Sequence, residues 1–358
     1  MPCLLRWVPA IIGGPRSPLA RRAGRHVRTS IVPGASPSAE GSMQLTVVIF
    51  TYNYAHFLPE VLASLQRQTR RADRIIVSDD CSPRDNEATL RAAIAPFEGV
   101  ELIRNPTNLR NIEHYRARVA EIQTDAYLLM SADDYLLDET FLAAAMAELE
   151  RDDSVIGVFG YHQPVDDQGR VLARRNVVPG REATRLAAAD VRRELAYENN
   201  VPAICTIVRT AVHAHVPAYP ILNRHCGDWQ QWYLLAPLGD MVRLERVVLG
   251  YRIHGANMST TYDEQGRAHA LVLEGYDQLL AWPGLSDQDR RDLERGRRRL
   301  RIRSATMRDL AARLLREPWN GDTAAMAAET VLERVARGVE RGRKALQGRF
   351  LGANVTQM

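Results

Sequence analysis

Four cysteines are all that 358 residues contain, and Cys3, Cys81, Cys205 and Cys226 form no CxxC pair. A zinc site of common spacing and a disulfide framework are therefore not expected, and a reducing compartment, the cytoplasm, suits the chain. Long apolar runs are also missing. No stretch approaches the ~18 residues that cross a bilayer as a helix, so the chain is expected to be soluble or at most peripheral. A glycine-rich phosphate loop is absent after the first apolar run, where Phe50-Thr51-Tyr52-Asn53-Tyr54 stands instead.

Acid is lacking at one end. Residues 1–42 hold Arg6, Arg16, Arg21, Arg22, Arg25 and Arg28 with no carboxylate before Glu40. That bias is found in transit peptides, but Gly13-Gly14, Pro15 and Pro18 break an amphipathic helix. The expectation is a disordered Arg/Pro/Gly-rich extension over 1–42, with a targeting segment as the alternative and Met43 as a candidate start.

What remains is long enough to bury a full core. From Leu45 to Phe159 short apolar runs alternate with helical periods. Strands are expected at Gln44–Phe50, Arg74–Ser78, Val100–Ile103, Ala126–Met130 and Val155–Phe159, and helices near Leu58–Leu65, Arg84–Ala95, Asn111–Ile122 and Asp138–Leu149. This alternation implies an α/β fold with a mostly parallel sheet flanked by helices. Beyond Gly160 the pattern predicts a hairpin turn at Pro164–Arg170, a helix over Thr184–Tyr197, a strand at Ala203–Arg209, a short helix at Asp228–Leu235 and one strand or two over Met241–Arg252. A domain over 43–260 and a helical, basic region over 261–358 follow.

Two Asp pairs end buried strands, Asp79-Asp80 and Asp133-Asp134, on the carboxyl edge where open α/β sheets bind ligands. Asp152-Asp153 and Asp166-Asp167 read instead as solvated turns. Paired hard oxygens at a strand end suit Mn²⁺ or Mg²⁺ that is itself holding phosphates.

In the C-terminal region Leu293, Leu300, Met307, Leu310 and Leu314 recur at steps of three, four and seven among many arginines. Two readings stay open: a helix that packs its leucines inward and solvates its arginines, and a basic amphipathic helix on an anionic membrane face. Nucleic acid is not an expected partner, because no recognition motif or interleaved aromatics accompany the arginines.

The order of motifs resembles family 2 glycosyltransferases of the GT-A fold. It is carried by Val47-Val48-Ile49-Phe50-Thr51-Tyr52-Asn53, Ile75-Ile76-Val77-Ser78-Asp79-Asp80-Cys81-Ser82, Ser131-Ala132-Asp133-Asp134, Gly227-Asp228-Trp229-Gln230-Gln231-Trp232 and Tyr251-Arg252-Ile253-His254-Gly255-Ala256-Asn257-Met258-Ser259. The resemblance implies inverting transfer of a single sugar from a nucleotide-sugar donor, a UDP-sugar, to an acceptor hydroxyl in cell-surface glycan or secondary-metabolite assembly. By the same resemblance Thr51, Tyr52, Asp80 and Asp133 would bind the nucleotide, Asp134 and His254 the metal, and Asp228 would be the catalytic base. Asp228 also stands where a helix N-cap would be favoured, and Arg252 is a second candidate for phosphate. Where many family members carry a glycine, the segment Asn108-Leu109-Arg110-Asn111 has none. A non-catalytic nucleotide-sugar-binding scaffold and a sugar nucleotidylyltransferase are the alternatives.

Overall fold

The computed structural model describes residues 42–174, 177, 181–255, 257, 267–304, 327 and 330. The expectation for residues 1–42 falls almost wholly outside them, as do Met307, Leu310 and Leu314. The chain divides into two units, Met1–Gly275 and Tyr276–Met358.

The first unit is built on a mixed sheet. Strands β1 (Leu45–Thr51), β2 (Arg74–Asp79), β3 (Val100–Arg104) and β4 (Ala126–Ser131) run parallel in the order β3-β2-β1-β4. Every residue of β1 is buried, as expected for a central strand covered on both faces. The expected strands are present, each within about a residue of its predicted end, except that β6 (Val155–Val165) runs six residues beyond Phe159. Helix α1 (Leu58–Gln66) turns Leu58, Val61, Leu62 and Leu65 into the core at helical spacing, and α4 (Phe141–Arg151) does so with Phe141, Leu142, Ala145, Met146 and Leu149. Helices α2 (Glu87–Ile94) and α3 (Asn111–Val119) complete this half, with Asn86 Oδ1 capping α2 by accepting from Thr89 N at 2.9 Å.

The second half of the unit extends the same sheet with antiparallel pairings, except for the parallel pair that β6 forms with Asp240–Arg252. β8 (Thr206–Arg209) lies between β4 and β6, and β9 (Asp240–Arg252) pairs with β6, with the two-residue β5 (Tyr135–Leu136) and with β7 (Ala183–Leu186). Met241–Arg252 is thus within one strand, and Asp166 N to Arg170 O at 2.9 Å closes the expected hairpin turn. The helix expected over Thr184–Tyr197 is corrected: β7 comes first and α5 (Ala188–Leu195) follows, because pairing with β9 overrides the local helix preference. Ala203–Cys205 is a 3-10 turn leading into β8 rather than strand. Helix α6 (Gly227–Leu235) matches expectation.

Helix α7 (Ala268–Leu280) spans the division between the units, and α8 (Asp287–Ser304) lies in the second. In that unit Leu279 and Leu293 are buried, Asp277 pairs with Arg297 at 2.5 Å, and Arg291, Arg295, Arg298 and Arg301 are exposed at steps of three and four. Among the described residues no helix is long and apolar enough to cross a membrane.

Candidate active site

Four strand ends are stitched together at the carboxyl edge. Asp80 N donates to Thr51 O at 3.1 Å, Ala132 N to Phe50 O at 2.9 Å and Asn105 N to Asp79 O at 2.8 Å. Thr51, Tyr52, Asp80, Asp133 and Asp134 therefore share one edge. Thr51 is buried and its Oγ1 has no partner among the described residues, while Tyr52 is 42% exposed.

Asp79 and Asp80 are engaged in local structure. Asp79 accepts from Ser82 N at 3.1 Å and from the Ser82 hydroxyl, and pairs with Arg104 at 3.3 Å. Asp80 Oδ1 accepts from Asn105 Nδ2 at 2.9 Å and Leu109 N at 2.8 Å, and Oδ2 accepts from Arg110 N at 2.8 Å. These bonds shape the entry to α3, where Arg110 is held at φ 67°. Only glycine takes that backbone easily, so the glycine-poor segment noted in the sequence keeps the turn by hydrogen bonding.

Asp133 and Asp134 sit in a tight turn, with Asp134 N donating to Ser131 O at 3.2 Å, between β4 and β5. The antiparallel pairing Tyr135↔Gly250 continues past the strand end and brings Arg252 against both acids. Arg252 N donates to Asp134 Oδ1 at 2.9 Å, and its Nε to Asp133 O at 2.9 Å. The buried guanidinium also reaches Asp167 O at 2.6 Å and Glu60 at 2.5 Å, and lies over the Phe57 ring at 4.8 Å. The phosphate role considered for Arg252 is thus replaced by that of a brace. Asp133 takes the Ser131 hydroxyl on Oδ1, and on Oδ2 both His254 Nε2 at 3.0 Å and Asn257 Nδ2 at 3.4 Å.

Asp134 Oδ2 is different: it is buried and has no partner among the described residues. Burial first, then the Asp133 charge, pushes the Asp134 carboxyl well above the usual range. A buried, unsatisfied carboxylate oxygen is what a cation would relieve, so Asp134 fits a metal ligand. His254 reaches the same turn but bonds Asp133. Among the described residues no group of three His, Cys, Asp or Glu can hold a metal alone; Mg²⁺ and Mn²⁺ commonly complete their shells with phosphate oxygens of a bound substrate.

Asp228 lies on α6, whose N-cap is Cys226; the helix begins at Gly227, so Asp228 is its second residue and the N-cap expected there lies two positions too late. A Cβ at Gly227 would stand 2.5 Å from Ile112 Cδ1 of α3, so a larger residue there would force that buried side chain to move. Asn223 Oδ1 prepares the helix start by accepting from His225 N at 3.0 Å and Cys226 N at 3.2 Å. Burial raises the Asp228 carboxyl, against hydrogen bonds from the Trp229 backbone, Asn199 and its own N–H. Tyr115 of α3 joins the two halves of the site. Its ring packs on Phe50 at 4.4 Å and Tyr219 at 5.6 Å, and its hydroxyl is raised by burial and then by the charges of Asp228, Asp133 and Asp134.

Tyr115, Asn199, Asn223 and the bracing role of Arg252 were not found from the sequence. None forms a motif, and each acts across a separation that only the fold closes.

Residues 46–205 match the family model Glycosyl transferase family 2, a span that ends before α6. An uncharacterized glycosyltransferase of Haemophilus influenzae is 20% identical over 225 residues, which is 62% of this chain and 69% of the relative. Among solved structures, S. aureus TarS 1-349 in complex with UDP-GlcNAc aligns with a TM-score of 0.56 at 15% identity, covering 80% of this chain and 79% of that one. Mannosyltransferase PcManGT from Pyrobaculum calidifontis, in complex with GDP-Man and Mn²⁺, aligns with a TM-score of 0.56 at 13% identity over 89% and 88%. At such identities the structural likeness shows the fold.

Proposed function

We propose that the chain, whose residues 46–205 match the family 2 glycosyltransferase model, is a nucleotide-sugar-dependent glycosyltransferase that moves one sugar from a UDP-sugar to an acceptor hydroxyl with inversion. The observation that carries this reading is the buried, unsatisfied Asp134 Oδ2 at the sheet edge, with the buried Tyr115 hydroxyl sensing the charges of Asp228, Asp133 and Asp134 together. Asp134 offers an unsatisfied oxygen to a diphosphate-bound cation, and Asp228 offers a raised carboxylate to an incoming hydroxyl.

In this reading Thr51, Tyr52 and Asp80 line the nucleotide side. Tyr52 supplies an exposed ring for the base, and Asp80 Oδ2, with one protein donor against two on Oδ1, has capacity for a base N–H. Asp133 takes the ribose, and Asp134, with His254 close by, takes the cation. Bound Mn²⁺ or Mg²⁺ would neutralise charge on the departing diphosphate. Asp228 removes the acceptor proton as the new bond to the anomeric carbon forms, and its raised basicity suits that task. The TarS structures with UDP and UDP-GlcNAc support a UDP donor, and PcManGT with GDP-Man and Mn²⁺ supports the use of metal.

The test is release of nucleoside diphosphate from UDP-GlcNAc, UDP-glucose and GDP-mannose, with water as acceptor, in Mn²⁺, Mg²⁺ or chelator. UDP release that depends on metal is expected. Asp228→Asn should lower it by ~10² to 10⁴-fold while donor affinity holds. A variant that works at the wild-type rate would remove Asp228 from the reaction, and faster release from GDP-mannose would overturn the donor assignment.

A further inference from the structure

The segment after α5 is bolted to the start of α6 at two points. Leu195 O accepts from Trp229 Nε1 at 2.6 Å, and Asn199 Nδ2 donates to Asp228 Oδ2 at 3.0 Å. The second bond is directional by construction. Asn199 Oδ1 accepts from Val201 N at 3.4 Å, and Val201 is buried, so the amide is oriented with its NH₂ toward the acid. The flipped amide would set oxygen against the carboxylate and NH₂ against N–H. The neighbouring Asn200 is used otherwise, donating to Glu194.

We propose that Asn199 is the positioning residue of the proton-accepting carboxylate, fixing the plane of Asp228 relative to the acceptor. The inference rests on Asp228 being the base. A carboxylate at the start of a helix can swing about two side-chain torsions, and a fixed donor on one oxygen removes that freedom before the acceptor arrives. The same bond opposes burial and favours the ionised form that accepts a proton. The other titratable groups that sense Asp228 are Tyr115 of α3, Tyr219 of the preceding loop and Cys226 of its own helix. All three are raised by burial and stay neutral, so no cation among them substitutes for the amide.

Asn199→Asp separates positioning from architecture. It keeps the shape and the acceptor for Val201 N but replaces the donor by oxygen. In the full chain, UDP release from UDP-GlcNAc or UDP-glucose should fall about ten-fold in kcat at neutral pH with KM for the donor unchanged, and the acid limb of the rate should move to higher pH by about one unit. Asn199→Ala should move that limb in the same direction by less, having lost the donor without gaining a charge. A readout that needs no turnover is the titration of the Asp228 carboxyl carbon in ¹³C-aspartate-labelled protein, identified by its loss in Asp228→Asn; it should shift upward in both variants. A wild-type carboxyl titration in Asn199→Asp would overturn the inference while leaving Asp228 as the base if Asp228→Asn is inactive. Full activity in Asp228→Asn would instead remove the base assignment and the inference with it.

Discussion

Two aspartate pairs close the buried strands on either side of β1, and they are alike in sequence but opposite in use. Asp79 and Asp80 are covered by donors from Ser82, Arg104, Asn105, Leu109 and Arg110. Asp133 and Asp134 are braced from one side by Arg252, and one buried oxygen is left unsatisfied. The first pair spends its acceptors on building the loops that frame the nucleotide side. The second keeps one in reserve, at a cost in stability that a ligand can recover. An acid pair at a strand end is therefore not a metal site by its type alone; what decides is how many of its lone pairs the chain has already taken.

The comparison is most exposed at Asp80. Asp80→Ala should lose ~3 kcal/mol of stability, because it strands the Leu109 and Arg110 N–H groups and the Asn105 amide at once. Denaturant unfolding checks this, and a loss below about 1 kcal/mol would show that the loop holds without the acid. Next, Gly227→Ala should cost ~1 to 3 kcal/mol by driving α6 against Ile112, with a larger fractional loss of UDP release than of folded protein.

Asp134→Asn should do the reverse of Asp80→Ala. It retains an acceptor for Arg252 N and removes a buried charge, so unfolding without ligand should shift by less than about 1 kcal/mol while metal-dependent donor binding, followed by calorimetry, disappears. Equal donor binding in Mn²⁺ would take the second pair out of the site.

The smallest effect sought is at Asp228, and its sign follows from burial. The folded carboxyl titrates above its unfolded value, so the contribution favouring the fold is complete below the ordinary aspartate range and is lost as pH rises through the folded pKa. Asp228→Asn should consequently melt slightly higher than wild type at neutral pH, with the gap closing as the medium is acidified through the folded pKa and gone below about pH 4. A gap that widens on acidification would mean that the carboxylate is stabilised in the fold.

Much of this was legible in the chain itself. A run such as Leu45–Thr51 can hardly be anything but a covered strand, and the acids at the ends of β2 and β4 follow from where the apolar runs stop. The fate of the acids was not legible. Asp80 is satisfied by groups 25 to 30 positions away, in a loop with no periodicity to read. Asn199 and Asp228 are 29 residues apart and meet only because α5 packs beside α6. Residues 184–186 read as helix since their neighbours do, and became strand because β9 offered an open edge.

Helix α6 carries one more property. Trp229 and Trp232 flank the carboxylate of Asp228 by one and four positions, and both indoles are buried. Trp229 Nε1 is tied to Leu195 O, the same carbonyl region whose loop supplies Asn199. The helix thus contains its own optical probe: any substrate that shifts the α5–α6 junction must alter the polarity around an indole, and intrinsic emission excited near 295 nm becomes a label-free gauge of acceptor engagement, recorded beside the reacting group without attaching a dye.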